Sequence, residues 1–512
     1  MIFTTTLVFL ACGFLTKAQC IQGVAGNGGV VQLNWSGHRQ FVSACYTDIV
    51  PLYAGDGGLS HYLNMPALSA LLLWGLSALT HSFYPAVSHL PGPLLPESGL
   101  FFIVTAALLA TMWVACVRLV MDIVAGMFGD GRREQVWVAG VMMAASPLVA
   151  VHAFTNVDTP AIAASIGMMW ALQHRRLRLA GVLLGVGVAL KLWPIILLFP
   201  LLILGLRCRE RLHDFVVVAS SMIVTWTVVN LPFIVMMPQD WLRFYELIST
   251  RTAEWTSIYA VIGRMQWLSG WDGYSSPLVL NIVSIALFLG GCLLLGKHVV
   301  SAESMPSIES LNFLVMGSFL LVNKVWSPQY SLWLLPCLVL AYAAIPRPPW
   351  RLVWVYGIVE VVLWLIAMWH MLGEDNLGVP HEMLDVVVVI RWFLVGVMMV
   401  TYPNGQTRGV RGEERATVSH EIGRADCDDE QRFHWIPVLW WLFCRFRVQK
   451  ITPASVDALL HGSLFHHSHP RDHCRILGNP LCFLTWMWCI FVRLLTQRPS
   501  CRAHEGHGRN MY

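Results

Sequence analysis

The chain has 512 residues, 56% of them hydrophobic and 12% charged, with a net charge of +4. A water-soluble core cannot hide so much apolar surface, which excludes a soluble globular protein and leaves an integral membrane one. The small positive balance falls in short clusters, which suits membrane topology signals and not a nucleic-acid-binding face.

Residues 2–16 are apolar and are followed by Lys17; without a basic start they read as an uncleaved first helix, not a signal peptide. A polar, glycine-rich loop at 17–63 comes next. Apolar segments follow at about 66–84, 100–127, 135–153 and 160–173, then a short hairpin from Arg178 to Arg207. A segment at 215–237, a loop at 238–270 and a segment at 276–296 lead to a second short hairpin, Lys297 to Arg347. Segments at 352–372 and 386–402 close the series. The basic clusters (Arg132-Arg133, Arg175 to Arg178, Arg207 to Arg211, Arg347 to Arg351, Arg408 to Arg415) are the cytoplasmic candidates, because short cytoplasmic loops are rich in Lys and Arg. Counting outward from them puts both hairpin tips and the loops 154–159, 238–270 and 374–385 on the far side. Segment 66–84 breaks this alternation if it crosses. A re-entrant or interfacial helix there restores it.

The two hairpins carry the chemistry. Each arm is about 12–15 residues, short of the ~20 that a helix needs to span hydrocarbon. The first tip reads Lys191-Leu192-Trp193-Pro194 and the second Asn323-Lys324-Val325-Trp326-Ser327-Pro328-Gln329-Tyr330. Lysines at membrane depth are costly and mark substrate paths, although either ammonium could instead snorkel to headgroups. A cation under an aromatic rim suits a lipid phosphate, with tryptophan covering the isoprenoid or sugar.

On the outer side, Asp48 stands between Tyr46 and Tyr53 in Cys45-Tyr46-Thr47-Asp48-Ile49-Val50-Pro51-Leu52-Tyr53. Ionised, it fits a general base toward a hydroxyl; a cap or an Asx turn before Pro51 is the plainer reading. Asp158, before Pro160, reads as the N-cap of the 160–173 helix and as a second contact for substrate hydroxyls. Residues 238–248 read as an amphipathic interfacial helix, with Arg243 or Arg251 as phosphate contacts. Arg118 and Asp122, four apart on 100–127, read as a mutually neutralising pair facing the bundle interior. The 13 cysteines show no repeated CxxC pairs and about half lie after residue 400, so no disulfide framework across the core is indicated.

Taken in order, Tyr46 to Tyr53, Asn156-Val157-Asp158, the run from Gly185 to Pro194 and the run from Asn323 to Tyr330 resemble the actinobacterial multi-pass glycosyltransferases of the GT-C class. That class includes polyprenyl-phosphate-mannose-dependent mannosyltransferases and related arabinofuranosyltransferases, and the likeness covers roughly residues 40–402. The resemblance implies an all-α polytopic transmembrane bundle with short broken hairpins and an extracytoplasmic site. It implies inverting transfer from a polyprenyl-phosphate sugar to a glycolipid or glycan acceptor, in the cell membrane and amid its lipids, with Asp48 as base. Lys191, Trp193, Asn323, Lys324, Trp326, Gln329, Tyr330, Tyr46, Asp158 and Arg251 would then contact substrate. A phosphate monoester donor has no diphosphate, so no metal or other cofactor is expected. Leu63-Asn64-Met65-Pro66 departs from the acidic-Tyr-Pro pattern of the class, at a point tied to acceptor contacts.

Intramembrane charges and broken helices also serve transporters and lipid flippases, which keeps that class as the alternative. Repeated halves would favour it, yet the segments flanking the two hairpins do not repeat in length or composition. Residues 1–402 form the expected transmembrane domain and 403–432 a disordered linker. Residues 433–512 form a cytoplasmic extension, in which His466, His467, His469, His473 and Cys474 match no standard zinc spacing.

Overall fold

The computed structural model describes residues 1–26, 31–88, 94–128, 132–265, 275–302, 305–345 and 348–407. The expected linker beyond Thr407, the C-terminal extension and its His/Cys group lie outside the described residues. An all-α polytopic bundle emerges, as expected. Helices α1 (Ile2–Ala18), α2 (Arg39–Val42), α3 (Ala67–Ser88), α4 (Glu97–Phe128), α5 (Arg133–Ala144) and α6 (Pro147–His152) form its first part. Next come α7 (Thr159–Gln173), α8 (Leu177–Leu190), α9 (Leu198–Gly205), α10 (Arg209–Met236), α11 (Pro238–Thr250) and α12 (Ile258–Arg264). The last five are α13 (Pro277–Ser301), α14 (Ile308–Val322), α15 (Ser331–Ala343), α16 (Trp350–His370) and α17 (His381–Thr407). A small antiparallel pair, β1 (Gly23–Ala25) and β2 (Val31–Leu33), sits in the loop after α1 with Val24 opposite Gln32.

Among the described residues, seven helices are long and apolar enough to cross a membrane. Hydrogen bonds sort the helix ends into two faces. On one, Gln173 at the end of α7 donates to Ile123 O of α4, and Arg175 and Arg211 both meet Asp214 of α10. Arg207 caps Val299 O of α13, and Ser310 of α14 bonds Tyr402 of α17. This is the basic face. The other holds the 17–66 loop, residues 153–158, both hairpin tips and α11. It is called the loop face below.

Helix α3 has the length and hydropathy of a span, yet its hydrogen bonds run to one face. Ser69 near its start donates to Leu190 O at the first hairpin tip, and Ser77 to Gly55 O of the 17–66 loop. His81 meets Glu97 at the start of α4, and Tyr84 donates to Leu95 O. Both ends are therefore tied to the loop face, an arrangement that fits an interfacial helix.

The short hairpins are possible because protein, not lipid, surrounds their irregular tips. Helix α8 stops where Lys191 turns extended (φ −150°, ψ 144°), and Pro194 directs the chain into the 3-10 turn Trp193–Leu197 before α9. Gly181 and Gly185 let α8 press against α10: a Cβ at Gly181 would lie 2.5 Å from Ser221, and one at Gly185 2.7 Å from Thr225. Small residues four apart are the usual means of such close approach in membranes. In α14 the stop falls at Asn323 (φ −76°, ψ 133°), and Pro328 opens the turn that leads into α15.

One expectation fails in α4. Arg118 and Asp122 pair at 3.1 Å, but the Arg118 side chain is 74% exposed, so the pair points away from the bundle. The helix buries the stripe Leu109, Trp113, Cys116, Val120 and Val124. Arg118 is two residues from Cys116, about 200° round the helix at 3.6 residues per turn.

Candidate functional site

The loop that bears Asp48 is tied down residue by residue. Ala44 O accepts Trp364 Nε1 at 2.8 Å, and Cys45 is disulfide-bonded to Cys20. Tyr46 O accepts Lys17 Nζ at 2.8 Å, and Thr47 Oγ1 donates to Phe154 O at 2.7 Å. The Asp48 N–H donates to Thr155 O at 2.8 Å. These bonds seat the 44–48 segment against the turn between α6 and α7. Ahead of that turn, Ser146-Pro147 breaks the helix expected at 135–153 into α5 and α6, and the Ser146 hydroxyl caps α6 by accepting from Leu148 N.

That seating brings six polar side chains together. Asn156 Nδ2 donates to Asp48 Oδ2 at 2.8 Å, and Gln329 Nε2 reaches the same oxygen at 3.5 Å. The Asn156 Oδ1 accepts from Lys191 Nζ at 3.3 Å, so one amide joins the carboxylate to the ammonium. Lys191 also pairs with Asp158 Oδ1 at 3.3 Å. Tyr46 adds a side-chain hydrogen bond to Asp48. Burial pushes the Asp48 carboxyl up from its ordinary range, and the charge of Asp158 adds to this. The hydrogen bonds of Asn156 and Tyr46 and the charge of Lys191 pull the other way but do not cancel it. Chemically this is a base poised above the usual carboxylate range, beside a cation.

The sequence reading of Asp158 as an N-cap needs correction. It precedes α7, but its side chain makes no capping bond. It is 2% exposed and turned toward Lys191 instead, because a buried carboxylate needs a counter-charge more than a cap. Tyr53, expected beside Asp48, packs on Phe101 of α4 with ring centroids 5.3 Å apart.

Beside Lys191 stands a stack of three aromatic rings. Trp193 lies parallel to Trp333 at 5.2 Å, and Tyr330 covers the other contact of Trp333 at 3.7 Å. The indole N–H groups of Trp193 and Trp333 are buried without hydrogen-bond partners. Trp333 is thus a component that sequence reasoning missed. Its spacing, one helical turn past Gln329 and three residues past Tyr330, was the available signal.

The second tip is arranged differently. Lys324 Nζ donates to Arg251 O at 2.5 Å and Ile248 O at 3.1 Å, so its ammonium faces backbone carbonyls. The Asn323 side chain accepts from Val325 N, and Trp326 is 2% exposed beneath the Arg391 guanidinium, 4.1 Å from the ring centroid. Arg251 pairs with Glu254 and Arg243 with Asp240, which engages both cations of the α11 region. Of this tip, Gln329 reaches Asp48 directly. In the sequence Asn156 stands at a helix start, and only the fold shows it bridging the two charges.

Residues 83–323 match the model of glycosyltransferase family 87. The matched stretch includes Asn156, Asp158 and Lys191 and ends at Asn323, leaving Asp48 on one side of it and Gln329 on the other. No curated protein matches the chain. The family match and the span-length helices together support a multi-pass membrane glycosyltransferase.

Proposed function

We propose that the chain moves a sugar, with mannose favoured, from a polyprenyl-phosphate donor to a glycolipid or glycan acceptor of the cell envelope, inverting the anomeric centre. The reaction takes place on the extracytoplasmic side of the cell membrane. The observation that carries this reading is the Asn156 amide, which holds the Asp48 carboxylate and the Lys191 ammonium in one site. The side is argued from the basic residues, which gather on the opposite face.

Asp48 takes the proton of an acceptor hydroxyl as that oxygen attacks the anomeric carbon. The bond to the phosphate oxygen breaks, and Lys191 meets the charge that develops on the leaving polyprenyl phosphate. A single displacement inverts the centre. Gln329 and Asn156 orient the carboxylate, Asp158 holds Lys191, and Tyr46 donates to the base. Trp193, Trp333 and Tyr330 supply a flat apolar wall for the sugar or the first isoprene unit. Asn323, Lys324, Trp326 and Arg251 set the shape of the second tip and so the reach of Gln329 and Tyr330.

The test is transfer from labelled polyprenyl-phosphate mannose in membranes holding the full chain, against Asp48→Asn and Asp48→Ala. Loss of transfer in both supports the base role, and wild-type rates in either refute it. A wild-type protein that transfers from no polyprenyl-phosphate sugar would return the chain to the transport class.

A further inference from the structure

Lys17 ends α1 on the loop face and is 1% exposed. Its ammonium donates to Tyr46 O at 2.8 Å and lies 4.1 Å from the centroid of the Trp364 ring. A buried ammonium normally demands a counter-charge and partners for three N–H groups. Here the anion whose charge acts on it is Asp48, with the Trp364 ring face as its other electrostatic support.

The segment that Lys17 grips is under backbone strain. Ala44 has φ +49°, in the left-handed region that a residue with a Cβ rarely adopts. It is kept there from two helices: Trp364 of α16 binds its carbonyl, and Cys20 just past α1 holds its neighbour Cys45. Lys17 holds the carbonyl of Tyr46, two residues before Asp48. A strained, over-determined segment immediately before a reacting group is the arrangement that fixes a side chain in place.

We propose that Lys17 is a positioning residue for Asp48, acting with the Cys20–Cys45 disulfide as a clamp from the first helix on the 44–48 segment. The inference rests on the reading of Asp48 as the base. The clamp touches no substrate, so its loss should lower turnover and leave donor binding alone. Displacing a reacting group by about 1 Å costs up to ~100-fold in rate.

The experiment measures kcat and donor KM for the full chain in membranes, using labelled polyprenyl-phosphate mannose, in wild type, Lys17→Met, Lys17→Arg and Asp48→Ala. The expected result for Lys17→Met is a fall in kcat of about ten- to a hundredfold with KM within about twofold. Lys17→Arg, which keeps a cationic donor, recovers most of it. Should Lys17→Met fail to accumulate, Lys17→Gln, polar but one bond too short to reach the Tyr46 carbonyl, takes its place with the same expectation. Removing the Cys20–Cys45 bond alone, in a Cys20→Ser, Cys45→Ser double variant, should also lower kcat at constant KM. An unchanged kcat in the neutral Lys17 variants, beside an inactive Asp48→Ala, overturns the clamp and spares the base. An active Asp48→Ala overturns the base itself and leaves Lys17 nothing to position.

Discussion

The two hairpin tips look alike as sequence and differ as structure. Each places a lysine, a tryptophan and a proline at the break of a half-length apolar hairpin. At the first, Lys191 faces Asp158 and Asn156 across the loop face. At the second, Lys324 is turned onto the carbonyls of Ile248 and Arg251, and the same stretch is tied again by the bond from Glu254 N to Lys324 O. An ammonium facing a carboxylate and an amide can redirect toward an incoming phosphate. One that satisfies two backbone carbonyls would leave them bare by doing so. Membrane-depth lysines thus divide into those that serve the ligand and those that hold the scaffold, and the partner decides which.

The largest expected effect comes from the group that both tips surround. Asp48→Ala should lower kcat by about 10²–10⁴-fold, the range of a lost general base, while the protein still inserts and keeps its disulfide. The pH profile gives a second readout. Asp48 works only when ionised, and burial holds its carboxyl above the ordinary range. Transfer should therefore fall on acidification before a normal carboxylate would protonate, giving a raised acid limb in kcat/KM.

Next in size is Lys191→Met, with an expected loss of about 10²–10³-fold in kcat, the scale seen when one stabiliser of a developing charge is removed. Lys191 also pulls the Asp48 carboxyl down. Its removal should push the acid limb further toward neutral pH. The same limb in Lys324→Met should stay where it is in wild type. A shift there would break the division between the two lysines.

Lys324→Met should instead register as stability. Two carbonyls lose a charged donor, at a cost of about 1–3 kcal/mol. Thermal unfolding in detergent would show a lowered midpoint, while kcat below that midpoint stays within severalfold of wild type. A loss of turnover equal to that of Lys191→Met at unchanged stability would give Lys324 a direct ligand role.

How far the sequence carries can be seen residue by residue. Hydropathy and the basic clusters sufficed for the all-α bundle, for the half-length hairpins and for their tips on one face. The parity conflict at 66–84 has its counterpart in α3, whose hydrogen bonds all run to the loop face. Periodicity could not say which way Lys324 turns, because its partners are carbonyls of α11 and of the turn after it, 76 and 73 residues away. Asn156 escaped for a related reason: its worth lies in bridging Asp48, 108 residues before it, and Lys191, 35 after it. Lys17 looked like the polar end of a helix. Its grip on Tyr46 depends on a disulfide that cysteine spacing did not reveal.

A third cation calibrates the comparison from below. Arg118 sits mid-helix in α4 and pairs with Asp122 at 3.1 Å, with 74% of its side chain exposed. Among the described residues it binds no carbonyl of another element, and it lies on the side of α4 away from the buried stripe, so it neither serves the ligand nor braces the site. Arg118→Gln should therefore leave kcat, donor KM and the acid limb at wild-type values and shift the unfolding midpoint by less than Lys324→Met does. An effect on turnover as large as that of Lys191→Met would mean that the depth of a charge in the membrane, and not its partner, governs transfer.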